Sequence, residues 1–294
     1  MKPVAFQYYA PRSLPEALAL MAQHGDAAKV LAGGQSLTPM MNFRLVRPSI
    51  LVDLNRIAEL SYVCEHAGGL AIGAMTRQRQ AERDPWVANR APLIAETMPF
   101  VAHPQIRNRG TMGGICAHAD PAAELPAVAL ALELEFKVAS VHGERMVRAS
   151  DFFTGLFSTA LAPDELLTEI VVPPMPPRTG YAFQEVSRRH GDFALAGVAC
   201  ALTLDTAGVC TNAHIDFLGL GMQPIDARAA ASHLVGAKPD AEAIRAVSES
   251  VDAEIDPGAD IHASAEYRRQ LARVLSRRAL ETAAARANAK QPSV

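Results

Sequence analysis

In Leu31-Ala32-Gly33-Gly34-Gln35-Ser36-Leu37, a short apolar strand runs directly into two glycines and a polar pair. Glycine accepts positive φ angles and lets the backbone approach a ligand closely. Consecutive N–H groups in such a turn form a concavity that binds anions, and the Ser36 hydroxyl adds one more donor. The segment therefore suits a pyrophosphate, and a plain tight turn between strand and helix is the equally open alternative.

A second glycine-containing segment, Thr111-Met112-Gly113-Gly114-Ile115, repeats the pattern further along the chain. It is followed by Asp120 and Pro121, which are typical of a helix N-cap and first turn and predict a helix over residues 122–132. Glu124 would lie one turn into that helix, where its carboxylate can accept hydrogen bonds from ribose or ribityl hydroxyls. For Asp120, ligand contact and a purely capping role are both open.

Two such segments in one domain indicate a dinucleotide, although neither matches the Rossmann Gly-x-Gly-x-x-Gly pattern or the P-loop. Arg107 and Arg109 precede the second segment. Each can steer a diphosphate, and an ordinary solvated loop charge is the alternative.

The composition is that of a soluble globular protein, with 294 residues, 49% hydrophobic and 20% charged. A net charge of -3 does not favour nucleic acid or an anionic membrane surface as a partner. No apolar stretch is long enough to span a bilayer. None of the four cysteines is spaced as Cys-x-x-Cys, so we expect no metal or iron–sulfur site in this chain. These features predict a cytoplasmic protein with reduced thiols.

The proline cluster Pro173-Pro174-Met175-Pro176-Pro177 marks a domain boundary, since helices and strands do not tolerate such runs. Before it, helices and strands alternate, which favours an α/β arrangement. After it, an α+β arrangement is expected, with strands first and helices later. The predicted strands are 182–188, 195–204 and 209–218, joined as an antiparallel meander, and the predicted helices are 226–235, 240–253 and 264–287.

Together, the two glycine segments resemble the FAD-binding medium subunit of the xanthine dehydrogenase and carbon monoxide dehydrogenase family of molybdenum hydroxylases. The flanks of the second segment match as well, with His103-Pro104-Gln105-Ile106-Arg107-Asn108-Arg109-Gly110 before it and Ala117-His118-Ala119-Asp120-Pro121-Ala122-Ala123-Glu124-Leu125-Pro126 after it. The order and spacing of both segments fit, and the resemblance runs nearly end to end.

The resemblance implies an α+β fold in two domains. Residues 1–176 would form a two-lobed FAD-binding domain of the vanillyl-alcohol-oxidase (PCMH) type, divided near residues 55–60. Residues 177–290 would form an α+β C-terminal domain with a three-stranded antiparallel sheet and helices.

The resemblance also implies the cofactor site. The residues expected to bind FAD are Ala32, Gly33, Gly34, Gln35, Ser36, Leu37, Thr111, Gly113, Gly114, Ile115, Asp120, Glu124 and Leu167. No catalytic side chain is expected, because the chemistry belongs to the flavin. Many relatives carry lysine where this chain has Gln184, which cannot supply a positive charge to a reduced flavin. Phe193 stands where some relatives place a tyrosine near the isoalloxazine ring, and a core position is the alternative.

In function, the resemblance implies an electron-transfer subunit of a heterotrimeric molybdenum hydroxylase. A large molybdopterin subunit and a small subunit with two [2Fe–2S] clusters would be its partners, in a dimer of heterotrimers. FAD in this chain would pass electrons from the clusters to an external acceptor. A stand-alone FAD-dependent oxidase or reductase is the alternative, and a non-catalytic nucleotide-binding module is a third hypothesis.

Overall fold

The structure is a computed structural model and describes residues 2–289. The outer limits of the two predicted domains, residues 1 and 290, lie outside the described residues. No helix within the described range is long and apolar enough to cross a membrane.

A small parallel sheet opens the chain and carries the first glycine segment. Its strands lie in the order β1-β3-β2. The elements of this region are β1 (Gln7–Tyr9), α1 (Leu14–His24), β2 (Ala28–Leu31), α2 (Leu37–Asn42) and β3 (Ile50–Asp53). Helix α1 begins where the Ser13 side chain accepts a hydrogen bond from the Glu16 N–H, and it ends at Gly25, where φ is 47°. The first glycine segment therefore leaves the carboxyl end of β2.

A five-stranded antiparallel sheet follows, in the order β4-β5-β10-β6-β7. Six helices are inserted between β5 and β6. In chain order the elements are β4 (Val63–His66), β5 (Gly69–Gly73), α3 (Gln78–Arg83), α4 (Pro85–Arg90), α5 (Pro92–Thr97), α6 (Pro104–Arg107), α7 (Met112–His118), α8 (Glu124–Ala131), β6 (Glu135–Ser140), β7 (Gly143–Arg148), α9 (Ala149–Phe152), β8 (Phe153–Gly155), β9 (Ser158–Thr159) and β10 (Leu166–Val172). Strands β8 and β9 form a separate two-stranded ribbon.

The C-terminal part is a four-stranded antiparallel sheet in the order β11-β12-β13-β14. Its elements are β11 (Thr179–Ser187), β12 (Ala194–Leu204), β13 (Cys210–Leu218), β14 (Ile225–Asp226), α10 (Arg228–Ser232), α11 (Ala241–Ser250) and α12 (Ala265–Ala289). Helix α12 lies along β11 and β12. Its backbone comes so close to β11 that a Cβ on Gly180 would lie 1.8 Å from the Ala283 carbonyl oxygen.

Helix α8 joins the middle and C-terminal parts. All eight of its residues are buried, because it packs on α5 as well as on β12 and β13. The Gly219 N–H donates to the Pro121 carbonyl oxygen at 2.8 Å, which ties the end of β13 to the segment that leads into α8. The core around α8 therefore includes side chains from both parts of the chain.

The α+β class is confirmed, and three local predictions need correction. Only the first sheet is parallel, so the α/β arrangement expected before the proline cluster is wrong for the five-stranded sheet. The predicted three-stranded meander has a fourth short strand, β14. The predicted helix at 122–132 begins only at Glu124, because the Asp120 side chain accepts a hydrogen bond from the Ala122 N–H and closes a turn instead of capping a helix.

Candidate cofactor site

The first glycine segment offers free hydrogen-bond donors. In the described part of the chain, the N–H groups of Gly33, Gly34, Gln35 and Ser36 donate to no protein acceptor, and the Ser36 side chain does not cap α2. Gly34 has a φ of 73°, a conformation that glycine adopts without strain. Because consecutive free N–H groups attract anions, this turn has the chemistry of a phosphate site.

The two glycine segments are in direct contact, although many residues separate them in the sequence. A Cβ on Gly33 would lie 2.5 Å from the Arg109 carbonyl oxygen and 2.7 Å from the Gly110 Cα. A Cβ on Gly114 would lie 3.4 Å from the Ala32 Cβ. The glycine at position 33 is therefore required by packing between the two segments.

The second segment differs from the first in how its N–H groups are used. Thr111 caps α7, since its Oγ1 accepts a hydrogen bond from the Gly114 N–H at 3.1 Å. The Gly113 N–H donates to the Ala74 carbonyl oxygen at 2.8 Å, and the Ile115 N–H donates to the Thr111 carbonyl oxygen at 3.3 Å. These donors are already satisfied within the protein, so the second segment contributes close packing rather than a row of free N–H groups.

A cavity of about 340 Å³ lies beside the first segment. The residues that line it are Leu31, Ala32, Gly33, Gly34, Gln35, Thr38, Pro39, Asn42, Asp53, Asn55 and Arg109. Of the residues predicted to bind FAD, Ala32, Gly33, Gly34 and Gln35 line this cavity. Ser36 and Leu37 do not line the cavity, and neither does any predicted residue of the second segment, from which only the neighbouring Arg109 takes part.

Asp53 and Asn55 also line the cavity, although they were not predicted from the sequence. Asn55 Nδ2 donates to the Ala32 carbonyl oxygen at 2.8 Å, and the Asn55 N–H donates to Asp53 Oδ1 at 2.9 Å. Tyr8 donates its hydroxyl to Asp53 Oδ2 at 2.5 Å. A signal was available, because Asp53 ends a buried strand, and the carboxyl ends of parallel strands share one edge of a sheet.

Glu124, Asp120 and Leu167 do not line the cavity. Glu124 begins α8 with only 5% of its surface exposed, and burial raises its pKa to about 7, with the nearby charge of Asp120 adding to the effect. Burial likewise raises the pKa of Glu185 on β11 to about 8, and the charge of Glu124 adds to it. Leu167 is buried on β10. Both glutamates can therefore carry a proton near neutral pH and donate a hydrogen bond.

The two arginines before the second segment have different surroundings. Arg107 is buried, pairs with Glu82 at 2.9 Å and donates to the carbonyl oxygens of Val101 and Ala102. It is not a solvated charge, so that alternative for Arg107 is wrong, and it does not line the cavity. Arg109 is exposed and lines the cavity.

Phe193 is 65% exposed, so the core position considered for it is wrong. Gln184 is partly buried on β11 and pairs with Val198 of β12. Within residues 2–289, no group of three or more His, Cys, Asp or Glu side chains is placed to hold a metal ion.

Comparison with known protein families gives two matches. Residues 4–175 match the FAD binding domain in molybdopterin dehydrogenase, and residues 181–283 match the CO dehydrogenase flavoprotein C-terminal domain. The resemblance inferred from the two glycine segments and their flanks is thereby confirmed.

Individual relatives match over nearly their full length. The 6-hydroxypseudooxynicotine dehydrogenase complex subunit alpha of Paenarthrobacter nicotinovorans is 41% identical over 100% of this chain and 99% of its own. The caffeine dehydrogenase subunit beta of a Pseudomonas species is 40% identical over 97% of each chain. Among solved structures, a chain of the carbon monoxide dehydrogenase from Hydrogenophaga pseudoflava superposes with a TM-score of 0.94 at 39% identity, covering 97% of this chain and 99% of that one.

Proposed function

Because the chain belongs to the family of FAD-binding medium subunits of molybdenum hydroxylases, we propose that it is the electron-transfer flavoprotein of a heterotrimeric complex. The observation that carries the proposal is the first glycine segment. Its free N–H groups and the cationic Arg109 line one cavity, and the first segment packs against the second. That donor set suits a dinucleotide diphosphate.

The residues present fit FAD. Ala32, Gly33, Gly34 and Gln35 would hold the diphosphate with Arg109, and Ser36 would add its hydroxyl. The remaining predicted contacts, Leu37, Thr111, Gly113, Gly114, Ile115, Asp120, Glu124 and Leu167, form part of the same proposal. Bound FAD supplies the exchange of one or two electrons, whereas the protein binds and orients it.

We further propose that the FAD-binding domain spans residues 1–176, divided near residues 55–60, and that the C-terminal domain spans 177–290. In support, the parallel sheet ends at Asp53 and the antiparallel sheet begins at Val63. The two family matches are separated by residues 176–180, within and just after the proline cluster.

The partners in this proposal are a large molybdopterin subunit and a small subunit with [2Fe–2S] clusters, assembled in the cytoplasm as a dimer of heterotrimers. The electrons would come from the clusters and leave for an external acceptor. Substrate choice would lie in the large subunit. In support, relatives of similar identity are named for different substrates, 6-hydroxypseudooxynicotine and caffeine among them.

Purification of the tagged full-length chain from its native cell tests the assembly. We expect two further chains to copurify in equal amounts, with molybdenum by metal analysis and iron–sulfur absorbance that bleaches on reduction. A yellow chain that purifies alone and oxidises an organic substrate would contradict the proposal and support a stand-alone oxidase. A colourless chain without partners would support the nucleotide-binding module.

A further inference from the structure

On the basis of the FAD-binding function proposed above, we propose that Arg77 is a positioning residue for the cofactor diphosphate. It connects the two glycine segments through its side chain and places a second positive charge beside Arg109. Neither the family resemblance nor the cavity lining assigns it this role.

The backbone around Arg77 is joined to the second glycine segment. The Gln78 N–H donates to the Gly110 carbonyl oxygen at 2.9 Å, and the Met112 N–H donates to the Thr76 carbonyl oxygen at 2.9 Å. Arg77 itself forms an antiparallel bridge with Thr111. The position of its side chain is therefore fixed relative to that segment.

The Arg77 side chain then reaches both glycine segments. Its Nη1 donates to the Arg109 carbonyl oxygen at 2.5 Å, and its Nη2 donates to Asn55 Oδ1 at 2.6 Å. Asn55 in turn donates from Nδ2 to the Ala32 carbonyl oxygen at 2.8 Å. Three hydrogen bonds thus run in series from the Arg109 carbonyl, two residues before the second segment, to the Ala32 carbonyl of the first.

This series of hydrogen bonds orients the Gly33 N–H, a donor that the cofactor diphosphate needs. The Ala32 carbonyl and the Gly33 N–H belong to one planar trans peptide, so they point in opposite directions. When Asn55 holds the carbonyl, it also fixes the direction of the free Gly33 N–H. Arg77 keeps the Asn55 amide in place by donating a hydrogen bond to its oxygen.

The charges at this place favour an anionic ligand. Burial and then the positive charge of Arg109 lower the pKa of Arg77, while the charge of Asp53 acts in the opposite direction. The guanidinium groups of Arg77 and Arg109 thus repel each other, while the Asp53 carboxylate attracts that of Arg77. A diphosphate bound beside Arg109 would offset this repulsion.

Titration of the full-length apo-chain with FAD, followed by flavin fluorescence at several salt concentrations, tests the proposal. We expect Arg77→Met to weaken FAD binding roughly tenfold to hundredfold, the loss typical of a charged hydrogen bond, and to reduce the salt dependence of Kd. Arg77→Lys should retain the salt dependence and recover part of the affinity. Asn55→Ala should weaken binding about tenfold while keeping the charge, and the double variant should lose less than the product of the two.

Arg90→Met is the matched control, because Arg90 also binds a backbone carbonyl, that of Gly68, and pairs with Glu65, but neither of these partners lines the cavity. It should leave FAD affinity unchanged. Equal affinity and equal salt dependence in wild type, Arg77→Met and Asn55→Ala would overturn the role of Arg77. A wild-type chain that binds no FAD would instead overturn the proposed function itself. If Arg77→Met does not fold, Arg77→Lys and Asn55→Ala decide the matter by the same readouts.

Discussion

Gly33 lies so close to Arg109 that any side chain at position 33 would meet the Arg109 carbonyl oxygen, at 2.5 Å for the Cβ alone. We therefore expect Gly33→Ala to push the two glycine segments apart. The unfolding free energy should fall by about 1–3 kcal/mol, as overpacking usually costs, and FAD affinity should fall with it. Chemical denaturation and flavin titration measure the two effects.

Gly258→Ala is the control, since a Cβ at position 258 meets nothing within 4 Å. It should change neither stability nor FAD affinity. A Gly33→Ala chain that binds FAD like wild type would show that the contact between the segments does not matter for the cofactor.

Arg107, four residues before the second segment, is held inside the protein by its own side-chain contacts. It is buried between Glu82 and the carbonyl oxygens of Val101 and Ala102. Arg107→Met should lower the unfolding free energy by about 3 kcal/mol, at the low end for a broken buried ion pair, because Glu82 keeps Arg79 as a partner. Arg79→Met should cost less than about 1 kcal/mol, because Arg79 is partly exposed. Equal losses in the two variants would contradict this difference.

The contact between the segments illustrates what the sequence could predict. The strand followed by Gly33 and Gly34 is a local pattern, and several of the residues predicted from it line the cavity. The meeting of Gly33 with Arg109 depends on how two sheets pack, which no local pattern encodes. Arg107 likewise pairs with Glu82, which is distant from it in the sequence, so the burial of Arg107 was not predictable.

Residue type alone suggested a helix cap for Asp120 and a core position for Phe193, and both are wrong. Asp120 has the residue type of an N-cap, but the same side chain also closes a turn with the Ala122 N–H, and the turn is what forms. Phe193 is aromatic and was considered for the core, yet it is exposed. Asp53 could have been found, since the end of a buried strand next to β2 was visible in the sequence.

Glu124 and Glu185 should make stability depend on pH. Burial, and for Glu185 also the charge of Glu124, raises both pKa values above those of the unfolded chain, to about 7 and about 8. Their contribution is therefore fully present below the unfolded pKa values and is lost as the pH rises through the folded ones. Melting temperature should therefore fall from about pH 4.5, the usual value for a glutamate, to about pH 8, and less so in Glu185→Gln. Glu242→Gln, at an exposed site, should follow the wild-type curve.

Asp216 has a different environment, because neither of its carboxylate oxygens has a hydrogen-bond partner within residues 2–289. Burial, together with the charge of Asp226, raises its pKa well above the usual range. Because the pKa of Asp216 is raised like those of the two glutamates, the cost of ionising this group should limit the unfolding free energy at neutral and alkaline pH. Asp216→Asn should raise the unfolding free energy at neutral pH by on the order of 1 kcal/mol and leave acidic conditions nearly unchanged. A loss of stability at neutral pH would show that Asp216 is held ionised.

The absorption spectrum of the purified full-length chain, before and after anaerobic dithionite, tests the central claim most directly. We expect flavin bands that bleach on reduction, with about one FAD released per chain on denaturation, since the protein's role is to bind and orient the cofactor. A colourless chain that cannot be reconstituted with FAD would contradict the account and leave the two glycine segments as structural turns.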